Sequence, residues 1–283
     1  MPADLSALLP FVRSGQWDTA LGADSAMAIR SASDDDLRAS WPLVSGPMIQ
    51  FTTPLCGPLF RLRCVADWKG VMDHAHLNPD ALVVEVASGA SDPVPAAASL
   101  AVGPSCRYVS ANLNRHLSNG LRRALQRLPI TWDIIEDDAA HLGQYIRPSS
   151  ADLIAFHHAV NDVLQTIIFG LEGRDTVIPD WGDVLPDMVR LTGKWWTDGR
   201  LESTARPEFM KLIAVCTELL RPGGIAAFTH HMYQVDISLG YPMDLYSRFI
   251  PLARRWILAE PLPLKEVMIE GYDPDWWLFL VKG

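Results

Sequence analysis

An unbroken apolar run, ALVVEV at 81–86, carries a single acid, Glu85, and is followed at once by five small residues, Ala87, Ser88, Gly89, Ala90 and Ser91. Apolar positions without polar alternation predict a strand buried on both faces, as in the middle of a parallel sheet. The small residues behind it permit a sharp turn and a close approach of backbone to a ligand. Pro93 then suits the first turn of a helix running through PAAASLAV. The rhythm recurs. SCRYVSANL (105–113), PITWDIIEDD (129–138) and SADLIAFHHAV (150–160) predict three more strands, the first followed by the helical pattern NRHLSNGLRRALQRL. RPEFMKLIAVCTELLRPGG (206–224) has helical spacing stopped by Pro222, Gly223 and Gly224, and GIAAFTHH predicts a fifth strand.

The remaining stretches are less regular. Residues 1–80 alternate short helical patterns with breakers: DDDLRASWPLV opens on a capping signal, FTTPLCGPLFRLR is broken by Pro and Gly, and DWKGVMDHAHL predicts one more helix. Between 162 and 205 the pattern dissolves into Trp, Gly, Asp and Pro, which predicts one or two short helices covering a pocket. YPMDLYSRFIPLARRWIL predicts a helix that Pro251 breaks or kinks. The terminal PLKEVMIEGYDPDWWLFLVKG predicts an antiparallel hairpin. Strands alternating with helices predict an α/β, doubly wound and mostly parallel sheet. We read residues 1–75 as a helical N-terminal cap and 76–283 as the α/β domain, with a lid-like insert at about 162–205.

Composition narrows the picture. The 283 residues are 49% apolar and 20% charged, ordinary for a soluble enzyme, with a net charge of −9. That charge argues against nucleic acid and anionic membranes as partners. The basic face from Arg115 to Arg127 reads as solvated surface. The first 30 residues show no charged segment followed by an apolar run, so no signal peptide is expected, and the expected location is cytoplasmic. Cys56, Cys64, Cys106 and Cys216 lack paired metal spacing and read as buried small hydrophobes.

Taken in order, five segments resemble the class I S-adenosylmethionine-dependent methyltransferases. VVEVASGAS is similar to the family's acidic residue and glycine-rich loop, YVSANLN to its second strand, IIEDDAAHLG to its adenine-contacting segment, ADLIAFHHAVND to its fourth strand, and ELLRPGGIAAF to its Pro-Gly-Gly turn and fifth strand. The resemblance implies a seven-stranded Rossmann-like methyltransferase sheet with an antiparallel final strand, and S-adenosylmethionine as cofactor. It implies that Glu85 orients the methionine part and that Ala87, Ser88, Gly89 and Ser91 line it. Asn112 and Leu113 stand at the ribose position, Asp138 and Ala139 at the adenine, and Phe156 and His157 beside them. Two positions depart from the family pattern: Gly89 is the only glycine kept in the loop, and Asn112 replaces an acid.

The histidine pairs His157-His158 and His230-His231 end the fourth and fifth strands, where open α/β sheets bind ligands. Neighbouring strand residues face opposite ways, so one of each pair is expected to face substrate. His158 and His231 are the candidate bases, with His230 beside the acceptor. No metal site is expected, since the pairs lack a dedicated carboxylate spacing. Trp181, Trp195 and Trp196 in the insert are candidate walls for a flat acceptor. The expected activity is methyl transfer to a small-molecule acceptor, with aromatic acceptors as candidates. Three other readings are an enzyme of this fold that cyclises its cofactor, a nicotinamide oxidoreductase, whose GxGxxG turn is missing here, and a non-catalytic binding protein.

Overall fold

The computed structural model describes residues 4–283. Seven strands form one sheet: β1 (Leu82–Val86), β2 (Arg107–Ala111), β3 (Thr131–Ile135), β4 (Ala151–His157), β5 (Leu220–Thr229), β6 (Leu264–Val267) and β7 (Trp277–Lys282). Their order is β3-β2-β1-β4-β5-β7-β6. Strands β1 to β5 are parallel, and β7 runs antiparallel to both β5 and β6. This is the doubly wound, Rossmann-like methyltransferase fold with its antiparallel terminal hairpin.

The period-two alternation of each buried strand divides the interior into two cores. Val84, Val86, Val109, Ile154 and Phe156 face one of them, covered by α4 (Ala159–Leu171), α5 (Trp181–Thr197), α6 (Arg206–Leu219) and α7 (Phe249–Leu258). Val83, Tyr108, Leu153 and Ala155 face the other, covered by α1 (Cys56–His74), α2 (Pro93–Ala101), α3 (Arg115–Leu125) and the N-terminal helices. Ser33 caps the helix Asp34–Ser40 by accepting from the Asp36 N–H at 3.1 Å, as its sequence signals.

Two expectations change. The segment read as Pro- and Gly-broken is the start of the 19-residue α1, because Pro58 falls in its first turn, where no intrahelical N–H bond is lost. The stretch 162–205, expected to hold one or two short helices, holds most of α4 and the longer, 17-residue α5. Met188, Val189, Leu191 and Trp195 bury the inner face of α5 despite Pro186. Gly193 lets that helix meet Pro242, whose Cγ lies 3.1 Å from where a Cβ would stand. Pro251 behaves as expected: the helical pattern splits into Met243–Tyr246 and α7, with the proline in the first turn of α7.

Asp92, just before α2, is nearly sealed from solvent, with 3% of its side chain exposed. Its two oxygens accept from Arg61 of α1 and from Arg127 beyond α3. The same guanidiniums reach the N-terminal helices, Arg61 donating to the Ala20 carbonyl at 2.8 Å and Arg127 to Thr19 at 3.1 Å. One carboxylate thus joins the N-terminal helices, α1 and the segment behind α3 next to the small-residue turn. All four cysteines are buried and unpaired. Among the described residues no helix is long and apolar enough to cross a membrane.

Candidate functional site

At the carboxyl ends of β1, β2 and β4, where doubly wound sheets take ligands, two adjoining cavities share Ala87, Leu113 and Thr166. The larger, of about 410 Å³, runs past Ala111, Leu113, Asp137, Asp138 and Ala139 to α4. The smaller, of about 250 Å³, is lined by the turn 87–91, Asn112, His157, His158, Asp162, Trp181 and Tyr233. Volumes of this size suit small-molecule ligands.

The turn is built for close approach. Gly89 has φ +60, and Ala87 holds φ +54, which costs an alanine roughly 1 kcal/mol. Ser88 is locked to Ser110 by a 2.7 Å hydroxyl pair. Asn112 donates its Nδ2 to the Gly89 carbonyl at 2.8 Å. A carboxylate could not make that bond, so the departure from an acid at this position has a structural use: the amide fixes the turn. Asp138 caps the short 3₁₀ turn Ala139–Gln144, accepting from the Ala140 N–H at 2.9 Å, while Asp137 is taken up by His141 and Tyr145.

Glu85 lies elsewhere. Alternation along β1 turns it with Val83 toward the N-terminal face, where Tyr108 donates to its Oε2 at 2.6 Å and its Oε1 has no partner. Burial raises its pKa to about 8, so it is a neutral acid in the interior and does not line the cleft. Phe156 is also core, stacked on Phe228 with centroids 4.3 Å apart.

The histidine pairs do not follow strand alternation. β4 ends at His157, and His158 turns into the left-handed region at φ +57, so both rings of this pair reach the smaller lobe. His230 and His231 are buried beneath it, stacked against His158 at 4.6 and 5.4 Å. His231 is therefore not placed to act as a base, nor His230 to touch an acceptor. Burial lowers His157 to about 4 and holds His158 well below the usual imidazole range. His158 Nδ1 also faces the His231 N–H at 3.4 Å, which directs its remaining proton to Nε2 and leaves a donor.

Cys64, His157 and His231 bring their ligand atoms within 4.8 Å of one another. The Trp68 indole, which can only donate, gives its N–H to His157 Nδ1 at 2.9 Å. A neutral ring then carries its proton on Nε2, so neither nitrogen is free to ligate. Burial also pushes the Cys64 thiol up to about 12. The trio reads as core packing.

Among the tryptophans, Trp181 lines the smaller lobe. Trp195 is buried, its Nε1 donating to Glu172 at 2.9 Å and its ring lying under Arg200, and Trp196 donates to Asp244 at 2.9 Å. Both brace α5 and neither lines the cleft. Sequence reading missed Asp162, Thr166 and Tyr233. Asp162 was within sight, one helical turn beyond the fourth strand. Tyr233 is set by a two-residue parallel ladder, Met48–Ile49 against Met232–Tyr233, which no local pattern announces.

The sequence matches no protein-family model and no curated protein. Solved structures of similar fold include a SAM-dependent methyltransferase from Aquifex aeolicus, at 9% identity over 76% of this chain and 88% of that chain with a TM-score of 0.47. A SAM-dependent O-methyltransferase from Thermotoga maritima is 10% identical over 77% of this chain and 64% of that chain, TM-score 0.40. An rRNA methylase from Streptococcus thermophilus is 12% identical over 78% of this chain and 96% of that chain, TM-score 0.40. These likenesses concern the fold alone. The last corrects one expectation: nucleic acid is not excluded as a partner, since a nucleic-acid methylase is among the similar structures and a whole-chain net charge does not describe any one face.

Proposed function

We propose that this chain, which has the fold of the class I S-adenosylmethionine-dependent methyltransferases, binds that cofactor in the two-lobed cleft and transfers its methyl group to a small-molecule acceptor. The observation that carries the reading is the tight turn behind β1, bonded to Asn112 and opening directly into both lobes. When bound, the cofactor supplies a methyl group already activated on a positive sulfur. The chain's residues then bind and align. Asp138 and Ala139 would hold the adenine, Leu113 the ribose side, and Ala87, Ser88, Gly89 and Ser91 the amino-acid part. Asn112 acts through the turn. The larger lobe fits the adenosyl group, and the smaller one takes the amino-acid part along the turn and, on the side of Trp181 and Tyr233, a flat acceptor in line with the methyl.

Isothermal titration with S-adenosylhomocysteine tests the cofactor part, and absence of binding would overturn it. Asp138→Ala should weaken that affinity about tenfold, the value of one charge-assisted hydrogen bond. An unchanged constant removes the adenine role. Labelled methyl transfer should then be screened on small aromatic acceptors alongside RNA, and label appearing in RNA alone would remove the small-molecule part.

Gly120 of α3 touches the same turn, because a Cβ there would stand 2.8 Å from the Ala90 Cβ. Neither atom belongs to a flexible side chain, so Gly120→Ala should displace the turn. Helix propensity meanwhile gains about 1 kcal/mol. The expected result is several-fold weaker S-adenosylhomocysteine binding with no loss of melting temperature, and lost stability with intact binding would contradict it.

A further inference from the structure

The smaller lobe also constrains the chemistry of the acceptor. Asp162 sits in the first turn of α4 and lines this lobe with Trp181 and Tyr233. Its carboxyl accepts from Asn161 Nδ2 at 2.9 Å. Among the described residues no lysine or arginine lines the lobe. The titratable groups around Asp162 are His157 and His158 from β4, with Tyr233, Asp236 and Tyr241 from the segment after β5. None supplies a positive charge: both imidazoles are kept neutral by burial, Asp236 adds a second acid, and the Arg63 guanidinium, which faces His157 and Tyr233 from α1, is engaged by Asp67 and by the Val44 and Gly46 carbonyls. Burial, reinforced by Asp236, raises Asp162 to about 7. An acid without a cationic hydrogen-bond partner, in a lobe also lined by two aromatic rings, favours a positively charged guest.

Resting on the function proposed above, we infer that the acceptor is an amine, whose ammonium group Asp162 holds beside Trp181 and Tyr233 and from which it takes a proton before transfer. The proton passes from nitrogen to the Asp162 carboxylate. The nitrogen lone pair then forms the new N–C bond as the S–C bond breaks. The electron pair of that broken bond stays on sulfur, which becomes a neutral thioether, and the nitrogen becomes a methylated ammonium. His158, presenting a donor, does not compete for the proton.

The probes are 2-phenylethylammonium and 2-phenylethanol, equal in shape and different in charge, titrated into the full chain saturated with S-adenosylhomocysteine. The ammonium should bind at least about tenfold more tightly. The preference should fade below about pH 7 as the acid protonates, vanish in Asp162→Asn, and persist in Asp162→Glu. S-adenosylhomocysteine affinity and melting temperature should stay within about twofold and a degree or so in Asp162→Asn. Equal binding of the two probes, binding of neither, or a preference surviving in Asp162→Asn overturns the inference. So does a tenfold loss of S-adenosylhomocysteine affinity in that variant, which would assign Asp162 to the cofactor's own ammonium group. Failure of the wild-type chain to bind S-adenosylhomocysteine is a separate result and removes the function on which the inference rests.

Discussion

Asp92→Ala is expected to lower the unfolding free energy by about 3 kcal/mol, measured by urea denaturation, and to weaken S-adenosylhomocysteine binding at the same time. The carboxylate is 3% exposed, and its two arginine partners are 21% and 29% exposed. Removing it leaves two half-buried guanidiniums facing each other without a counter-charge. Breaking a buried pair by deleting one partner costs about 3 to 5 kcal/mol, and the partial exposure of both arginines sets the lower end here. The binding effect follows from position, since Ser91 of the turn is the next residue. Double replacement of Arg61 and Asp92 should recover part of the loss, because the uncompensated charge is then halved. A loss below about 1 kcal/mol in the single variant would show that the arginines are solvated without it.

The second large effect is a dependence on pH. Glu85 titrates at about 8 in the folded chain against 4.5 for an ordinary glutamate, because burial penalises its charge. With the folded value raised, this group's contribution to stability is complete below about pH 4.5 and is lost as pH rises toward 8. At about 1.4 kcal/mol per unit the span amounts to on the order of 4 to 5 kcal/mol. Glu85→Gln removes the titration while keeping an oxygen for the Tyr108 hydroxyl. Its stability relative to the parent chain should therefore climb between pH 5 and pH 8, followed by urea unfolding at several pH values. A difference that stays constant over that range would mean the carboxyl is already ionised inside the fold.

How far the chain could be read in advance depended on what each segment carried locally. The run 81–86 and the Pro-Gly-Gly turn state their own geometry, so β1, β5 and the parallel order were legible, as was the terminal hairpin around its Gly-Tyr-Asp-Pro-Asp turn. Helix α5 was not, because Gly182, Pro186 and Gly193 lower its intrinsic propensity and it forms on the strength of the apolar face that it packs against the sheet. Of the residues singled out in the sequence, Ala87, Ser88, Gly89, Ser91, Asn112, Leu113, Asp138 and Ala139 line the two lobes. Glu85 and the second histidine pair do not. The register of β1 turns Glu85 inward, and the packing of the sheet holds His158 left-handed and stacked on the second pair; neither is written in the local sequence.

The turn between β1 and α2 has a last consequence. Alanine and serine stand where glycine would be most mobile, and the Asn112 amide and the Ser110 hydroxyl pin two of its residues. Little wandering is left to be frozen out when a guest arrives. The strain held at Ala87 is therefore a standing charge on the empty protein that spares each encounter the cost of ordering, and the cleft meets its visitor as a finished mould.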